Sequence, residues 1–186
     1  MKRMNGPRPT AIGGFTFVEL VIFIVVSSIA LVGVLSMYQQ ATARSSDAIS
    51  SRQSAEAAYA LLEEIQAMPF TYCDPSDPAA ASAASSADCS TPQGLSPGGG
   101  KSRGSLSAPF NNVGDYGGYS QTGITDINGN PAPGLGAYSI AVSLSQAVLP
   151  GVSAGAAVRI DIRVSGPYGS QTITGYRLRH SPNALP

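Results

Sequence analysis

The chain has 186 residues, 43 % hydrophobic and 12 % charged, with 11 basic and 11 acidic side chains. This suits one ordinary domain better than two, and it excludes a disordered polyelectrolyte. Lys2, Arg3 and Arg8 precede the first acid, Glu19; the remainder carries 8 basic and 11 acidic side chains, a net of −3, which argues against bulk attraction to nucleic acid.

In chain order, a short basic segment, "MKRMNGPRPTAIGG" (residues 1–14), comes before an apolar run. From Phe15 to Tyr38 the only charge is Glu19. A helix of that length crosses a bilayer core, which takes about 20 apolar residues. The basic residues before it predict a cytoplasmic N-terminus. Three readings compete. A secretory signal peptide would be cut after Ala41-Thr42-Ala43, leaving a chain that starts at Arg44. However, the run exceeds the roughly 7–15 apolar residues of such a signal and carries an acid inside it. A plain signal anchor would be kept whole, and it also leaves Glu19 unexplained. The third reading cuts on the other side of the run, between Gly14 and Phe15.

After Tyr38 the sequence turns polar without a Gly or Pro until Pro69. It is rich in Ala, Glu and Gln, which favour helix. Ala48, Ser51/Arg52, Ala55, Ala58/Tyr59, Leu62 and Ile65 recur every three or four residues, as one buried stripe would. The expected helix covers residues 15–68, about 80 Å long. Its first half (15–38) is apolar all round and its second (39–68) amphipathic.

Residues 69–109 are rich in Pro, Ser and Gly and read as a long surface loop or a poorly ordered insertion. They hold the two cysteines, Cys73 and Cys89. In an exported chain such a pair reads as a disulfide, in a cytosolic one as two thiols.

Residues 110–186 turn to a β pattern. Tyr138, Ile140, Val142 and Leu144 alternate onto one face, as do Val158, Ile160, Ile162 and Val164, with Arg159, Asp161 and Arg163 towards water. "QTITGYRLR" is a third strand with Gly175 as a bulge or bend, paired with the second across "SGPYGSQ". Such a sheet needs a cover, and the amphipathic half-helix is the long candidate. The fold class is therefore α+β, a long N-terminal helix on an antiparallel sheet. Arg159, Arg163, Arg177 and Arg179 could share the exposed face of the terminal hairpin. That row reads first as a solvated face and second as a DNA- or partner-binding stripe. Tyr116, Tyr119, Tyr138, Tyr168 and Tyr176 read first as packing.

No enzyme motif is present. The one histidine, His180, has no readable catalytic partners, and "GGG" at 98–100 lacks a following G-K-[ST]. "DINGN" at 126–130 has its Gly at the wrong position for an EF-hand loop and reads as a turn. No catalytic residue, cofactor or metal is expected.

"GFTFVELVI" after a basic leader ending in Gly resembles the type IV prepilins and their type II secretion relatives, the pseudopilins. The resemblance implies the pilin-like version of this α+β fold. It implies cleavage after Gly14 by a membrane-embedded prepilin peptidase, N-methylation of Phe15, and pairing of Glu19 with the N-terminal amine of a neighbouring subunit. Residues 1–14 would be the leader and 15–38 the membrane and filament-core half of the helix. "YALLEEIQAMPF" and "FNNVGDYGGYSQTGITDINGNPAPGLGAYSIAVSL" are similar to minor pilins of the mannose-sensitive haemagglutinin (MSHA) pilus, the D type among them. Ser36, where many major pilins carry a proline, also favours a minor subunit. The implied partners are other pilin subunits, the peptidase, the inner membrane and its assembly platform. The head would be periplasmic, where Cys73 and Cys89 would be bonded, and at the cell surface after assembly. The alternatives are a pseudopilin and, more distantly, a binding module at a pilus tip.

Overall fold

The computed structural model describes residue 14 and residues 16–184. Helix α1 covers Phe17–Ala67. A 51-residue helix is possible because its interior holds no proline and one glycine, Gly33. Pro69 cannot continue it. The chain divides into two compact units at Ser45/Ser46. In the first, the large apolar side chains of α1 are exposed all round, from Phe17 to Tyr38.

The second unit contains residues 46–67 of α1 and a four-stranded antiparallel sheet in the order β1-β2-β3-β4. Its strands are β1 Ser120–Thr122, β2 Ser139–Gln146, β3 Ala157–Gly166 and β4 Gly169–Leu178. Strands β2 and β3 pair with Ile140 opposite Val164, Val142 opposite Ile162 and Leu144 opposite Ile160. The alternation read from the sequence therefore places one continuous aliphatic face against the helix. Ile160, Ile162 and Val164 are fully buried there with Ala58 and Ile65, and each large aliphatic side chain so buried contributes about 1.5–3 kcal/mol.

The buried helix stripe matches the expected one at Ala58, Leu62 and Ile65 and differs from it nearer the N-terminus. It runs through Ser50, Ser54, Ala58, Leu61, Leu62 and Ile65, whereas Ala48, Ser51, Arg52 and Tyr59 are exposed. Sheet geometry decides this. Tyr138 lies under the helix, where its hydroxyl donates to Gln53 Oε1 (2.7 Å) and hydrogen-bonds with the Ser50 hydroxyl (3.1 Å). Arg52 instead pairs with Glu56 on the surface at 2.8 Å.

Gly175 is not a bulge, because the β3–β4 register is unbroken from Ala157↔Leu178 to Gly166↔Gly169. Its reason is the helix: a Cβ there would stand 2.6 Å from Leu62 Cδ1. Gly175→Val is expected to destabilise the head by about 1–3 kcal/mol through overpacking, read as a lower urea midpoint. An unchanged midpoint would mean that α1 does not press on β4.

Residues 69–109 are irregular, as expected, but not poorly ordered. Phe70, Thr71, Cys73, Asp74, Asp77, Ala80 and Ala83 are buried. Cys73 and Cys89 are joined by a disulfide. Asp77 accepts from the Thr91 N–H (2.5 Å) and the Ala79 N–H (2.8 Å). Asn183 donates to the Ala80 and Ala83 carbonyls, tying this lobe to the chain after β4. Sequence composition reads as disorder where the order comes from such side-chain bonds to backbone, which leave no periodic signal.

Candidate functional site

Two regions carry the groups with chemical potential. The first is the N-terminal segment. Residues 1–13 and Phe15, which hold the basic leader and the expected methylation site, lie outside the described residues. Gly14 and Thr16 are exposed and non-helical. Thr16 Oγ1 accepts the backbone N–H of Glu19 at 3.3 Å, so Thr16 caps α1 and Glu19 occupies the third helical position. A carboxylate in the first turn is favoured by the helix dipole, by about 0.3–1 kcal/mol. The T-x-x-E spacing of Thr16 and Glu19 is the sequence signal for this cap.

Beyond Glu19 the helix carries no charge until Arg44. Three of its hydroxyls bond to the helix backbone: Ser28 donates to the Ile24 carbonyl (2.7 Å), Ser36 to that of Gly33 (3.2 Å) and Thr42 to that of Tyr38 (2.9 Å). Phe17 and Met37, near the two ends of the apolar run, are 79 % and 73 % exposed. An all-round apolar helix is stable only in lipid or against other apolar helices. This helix is long and apolar enough to cross a bilayer.

The second region lies in the head, where two buried charge clusters were missed by sequence reasoning. Arg103 makes a bidentate bond to Glu64, Nε to Oε1 at 2.8 Å and Nη2 to Oε2 at 2.7 Å. Its Nη1 donates to the carbonyls of Thr125 (3.1 Å) and Asp126 (3.2 Å). Tyr116 donates its hydroxyl to Glu64 Oε1 at 2.7 Å. Burial, reinforced by that bond, pushes the Tyr116 hydroxyl far above its usual value. The cluster walls a cavity of about 370 Å³, lined also by Leu61, Ile124, Ile127 and Leu135. The polar groups of Arg103, Glu64, Gln121 and Thr125 that line it are bonded to protein atoms.

In the other cluster, Lys101 pairs with Asp74 and lies 3.4 Å from Asp115 Oδ2 and 2.7 Å from Asn111 Oδ1. Asp115 Oδ2 also accepts the N–H groups of Asn111 (3.0 Å) and Asn112 (3.1 Å). Asn112 in turn accepts from Gly114, which makes a capping box at the start of the 3-10 turn Val113–Tyr116. The N-x-x-D spacing was a readable signal; the lysine that meets it was not.

Burial alone would push the Asp74 carboxyl up, but hydrogen bonds from Lys101 and Ser76 outweigh it and hold it below the usual range. Folded Asp74 thus binds its proton less readily than unfolded Asp74. The resulting stability is present above the ordinary carboxyl pKa, about 3.9. It is lost as pH falls through the lower folded value. Lys101→Met is expected to move the acid-unfolding midpoint to higher pH, measured by far-UV circular dichroism between pH 2 and about 5. An unmoved midpoint would show that the pair does not couple to folding.

The remaining sequence candidates are placed as follows. Among the described residues no three His, Cys, Asp or Glu side chains cluster as a metal site would need. Asp126 of "DINGN" is occupied by its own turn, accepting from the Asn128 and Asn130 N–H groups and from Asn130 Nδ2. His180 is exposed. The four-arginine row does not form. Arg159 and Arg163 are on the outer face, but Arg177 sits opposite Val158 and donates to the Met68 carbonyl. Arg179 stacks on Phe70 and Tyr72, at 4.1 and 4.5 Å from the ring centroids. The two-residue period puts 177 and 158 on the helix-facing side once the register is set. Tyr116 and Tyr138 pack in the core, while Tyr168 and Tyr176 are exposed.

Comparison of the chain with protein-family models, with curated proteins and with solved structures finds no match.

Proposed function

We propose that the chain is a minor pilin, a structural subunit of a type IV pilus similar to the MSHA pilus, and not an enzyme. The observation that carries this reading is the N-terminal segment. A Gly-Phe junction stands directly before a Thr16-capped, all-exposed apolar helix in which Glu19 is the single acid before Asp47. Prepilin peptidase cuts after Gly14 and methylates Phe15. Gly14 and Thr16, the described residues on either side of Phe15, are exposed and lie outside the helix.

The apolar half of α1 lies in the inner membrane before assembly, with the N-terminus cytoplasmic and the head periplasmic. It then packs against other subunits at the assembly platform. A carboxylate placed among apolar helices costs several kcal/mol unless partnered. The α-amino group of a neighbouring subunit is the partner that lowers this cost for Glu19. The Cys73–Cys89 disulfide supports export, since such bonds persist in oxidising compartments. The α+β layout, a long helix on an antiparallel sheet, supports a pilin-like fold.

The test is intact mass and N-terminal sequencing of the protein from its native membrane. The expected result is a chain that starts at methylated Phe15, and a start at Arg44 would overturn the reading. A processed chain that never enters sheared surface filaments would belong to a secretion machine instead of a pilus.

A further inference from the structure

The two edges of the head sheet are matched to each other. Gly166 and Gly169 close the β3–β4 turn as a pair. Pairing then alternates, so Gln171, Ile173 and Gly175 bond to β3 while Ser170, Thr172, Thr174 and Tyr176 point their N–H and C=O groups outward. The Tyr176 carbonyl accepts from Gln66 Nε2 at 3.3 Å, as an outward-facing group would. On the opposite edge, Gly123 donates to Tyr138 (2.8 Å) and Val142 to Tyr119 (2.8 Å). Gln121 therefore bonds to β2, and Ser120 and Thr122 point outward. Among the described residues no backbone group bonds to the outward groups of Ser120, Thr122, Ser170, Thr172 or Thr174.

Sheet edges are normally blunted by charges, proline or bulges. From Gly169 to Tyr176, β4 has no charged residue and no proline, and its ladder has no bulge. Both edges carry the same tripeptide, Ser120-Gln121-Thr122 and Ser170-Gln171-Thr172. With four antiparallel strands, β1 and β4 run in opposite directions. A second copy in the same orientation therefore presents β1 antiparallel to β4. Setting Gln121 opposite Gln171 brings Ser120 opposite Thr172 and Thr122 opposite Ser170. All four of these outer residues are exposed. In that register the outward groups meet each other and the side chains stay on matching faces. Ser and Thr pair across strands, with no like charges opposed. An open groove lies along β1, lined by Gly118, Tyr119, Ser120 and Gln121 together with Pro97 and Phe110.

We infer that β4 of one copy docks on β1 of the next, in this register, to extend the sheet from head to head. A contact between two different edges is head-to-tail and builds open chains rather than closed dimers. It stands whether or not the N-terminus is processed, since residues 1–45 take no part in it.

The test uses the full chain in detergent micelles carrying Thr122→Cys and Ser170→Cys. Within one sheet these positions are separated by three strand spacings, about 14 Å, so a disulfide between them must join two copies. Directly opposed residues in a docked pair are about 5.5 Å apart at Cα, within disulfide reach. Mild oxidation should give a ladder of dimers, trimers and higher species that collapses on reduction. Adding Thr172→Pro, which removes an outward N–H and leaves the bonds to β3 in place, should cut the cross-linked fraction roughly tenfold. Circular dichroism checks that each variant is folded. A folded double-cysteine chain that stays monomeric, a ladder unaffected by Thr172→Pro, or dimers from Ser170→Cys alone would each overturn the inference.

Discussion

Glu64→Ala is expected to destabilise the head by about 3–5 kcal/mol, the cost of removing one partner from a buried ion pair. The Arg103 and Glu64 side chains are only 10 % and 16 % exposed. With Glu64 gone, Arg103 keeps its charge among Leu61, Ile124 and Leu135, and the Tyr116 hydroxyl loses its acceptor. The bonds from Arg103 to the Thr125 and Asp126 carbonyls then hold an unbalanced cation in place. Glu64→Gln, which keeps an acceptor for Tyr116, should lose less. A double Glu64→Met, Arg103→Met variant should recover part of the loss, because no charge is left without its partner. Urea titrations followed by tyrosine fluorescence measure all three. A loss under about 1 kcal/mol for Glu64→Ala would place the pair with ordinary surface salt bridges.

The paired substitution Cys73→Ser, Cys89→Ser should cost about 3 kcal/mol, the chain-entropy expectation for a loop near 15 residues; the two cysteines are 16 apart in sequence. The effect should concentrate between Phe70 and Gln93. There the disulfide works with the Asp77 bond to Thr91 and with the backbone pairs Asp74–Thr91 and Gln93–Tyr72. Reductant added to the unaltered chain should reproduce the loss and should have no effect on the double variant. New proteolytic cuts are expected in the exposed residues 84–88, not in β2 or β3. Equal urea midpoints with and without reductant would show that the hydrogen bonds alone hold the lobe.

Much of the architecture was legible in local pattern. The apolar run at residues 15–38, the helix that continues to the proline, and the alternation in residues 138–144 and 158–164 are periodic over many residues, and period is what chain geometry imposes. The disulfide followed from cysteine number once export was granted. The stripe on the helix was legible at Ala58, Leu62 and Ile65 but not near Ser50, which meets Tyr138, far along the chain. The same is true of Gly175, whose neighbour is Leu62 and not a bulge in its own strand.

By itself, the sequence determined the class of each segment: apolar helix, amphipathic helix, cysteine loop and antiparallel strands. It also determined the lone early acid, Glu19, and the Gly-Phe junction before it, since these depend only on residues close together along the chain. Tertiary structure alone decided that Lys101 meets Asp74 and Asp115 and that Arg103 meets Glu64. It also decided that Arg177 and Arg179 turn away from the row with Arg159 and Arg163. These are contacts between residues as much as 109 positions apart. They depend on strand register and loop closure, and a single charged residue in a loop carries no period from which its partner could be read.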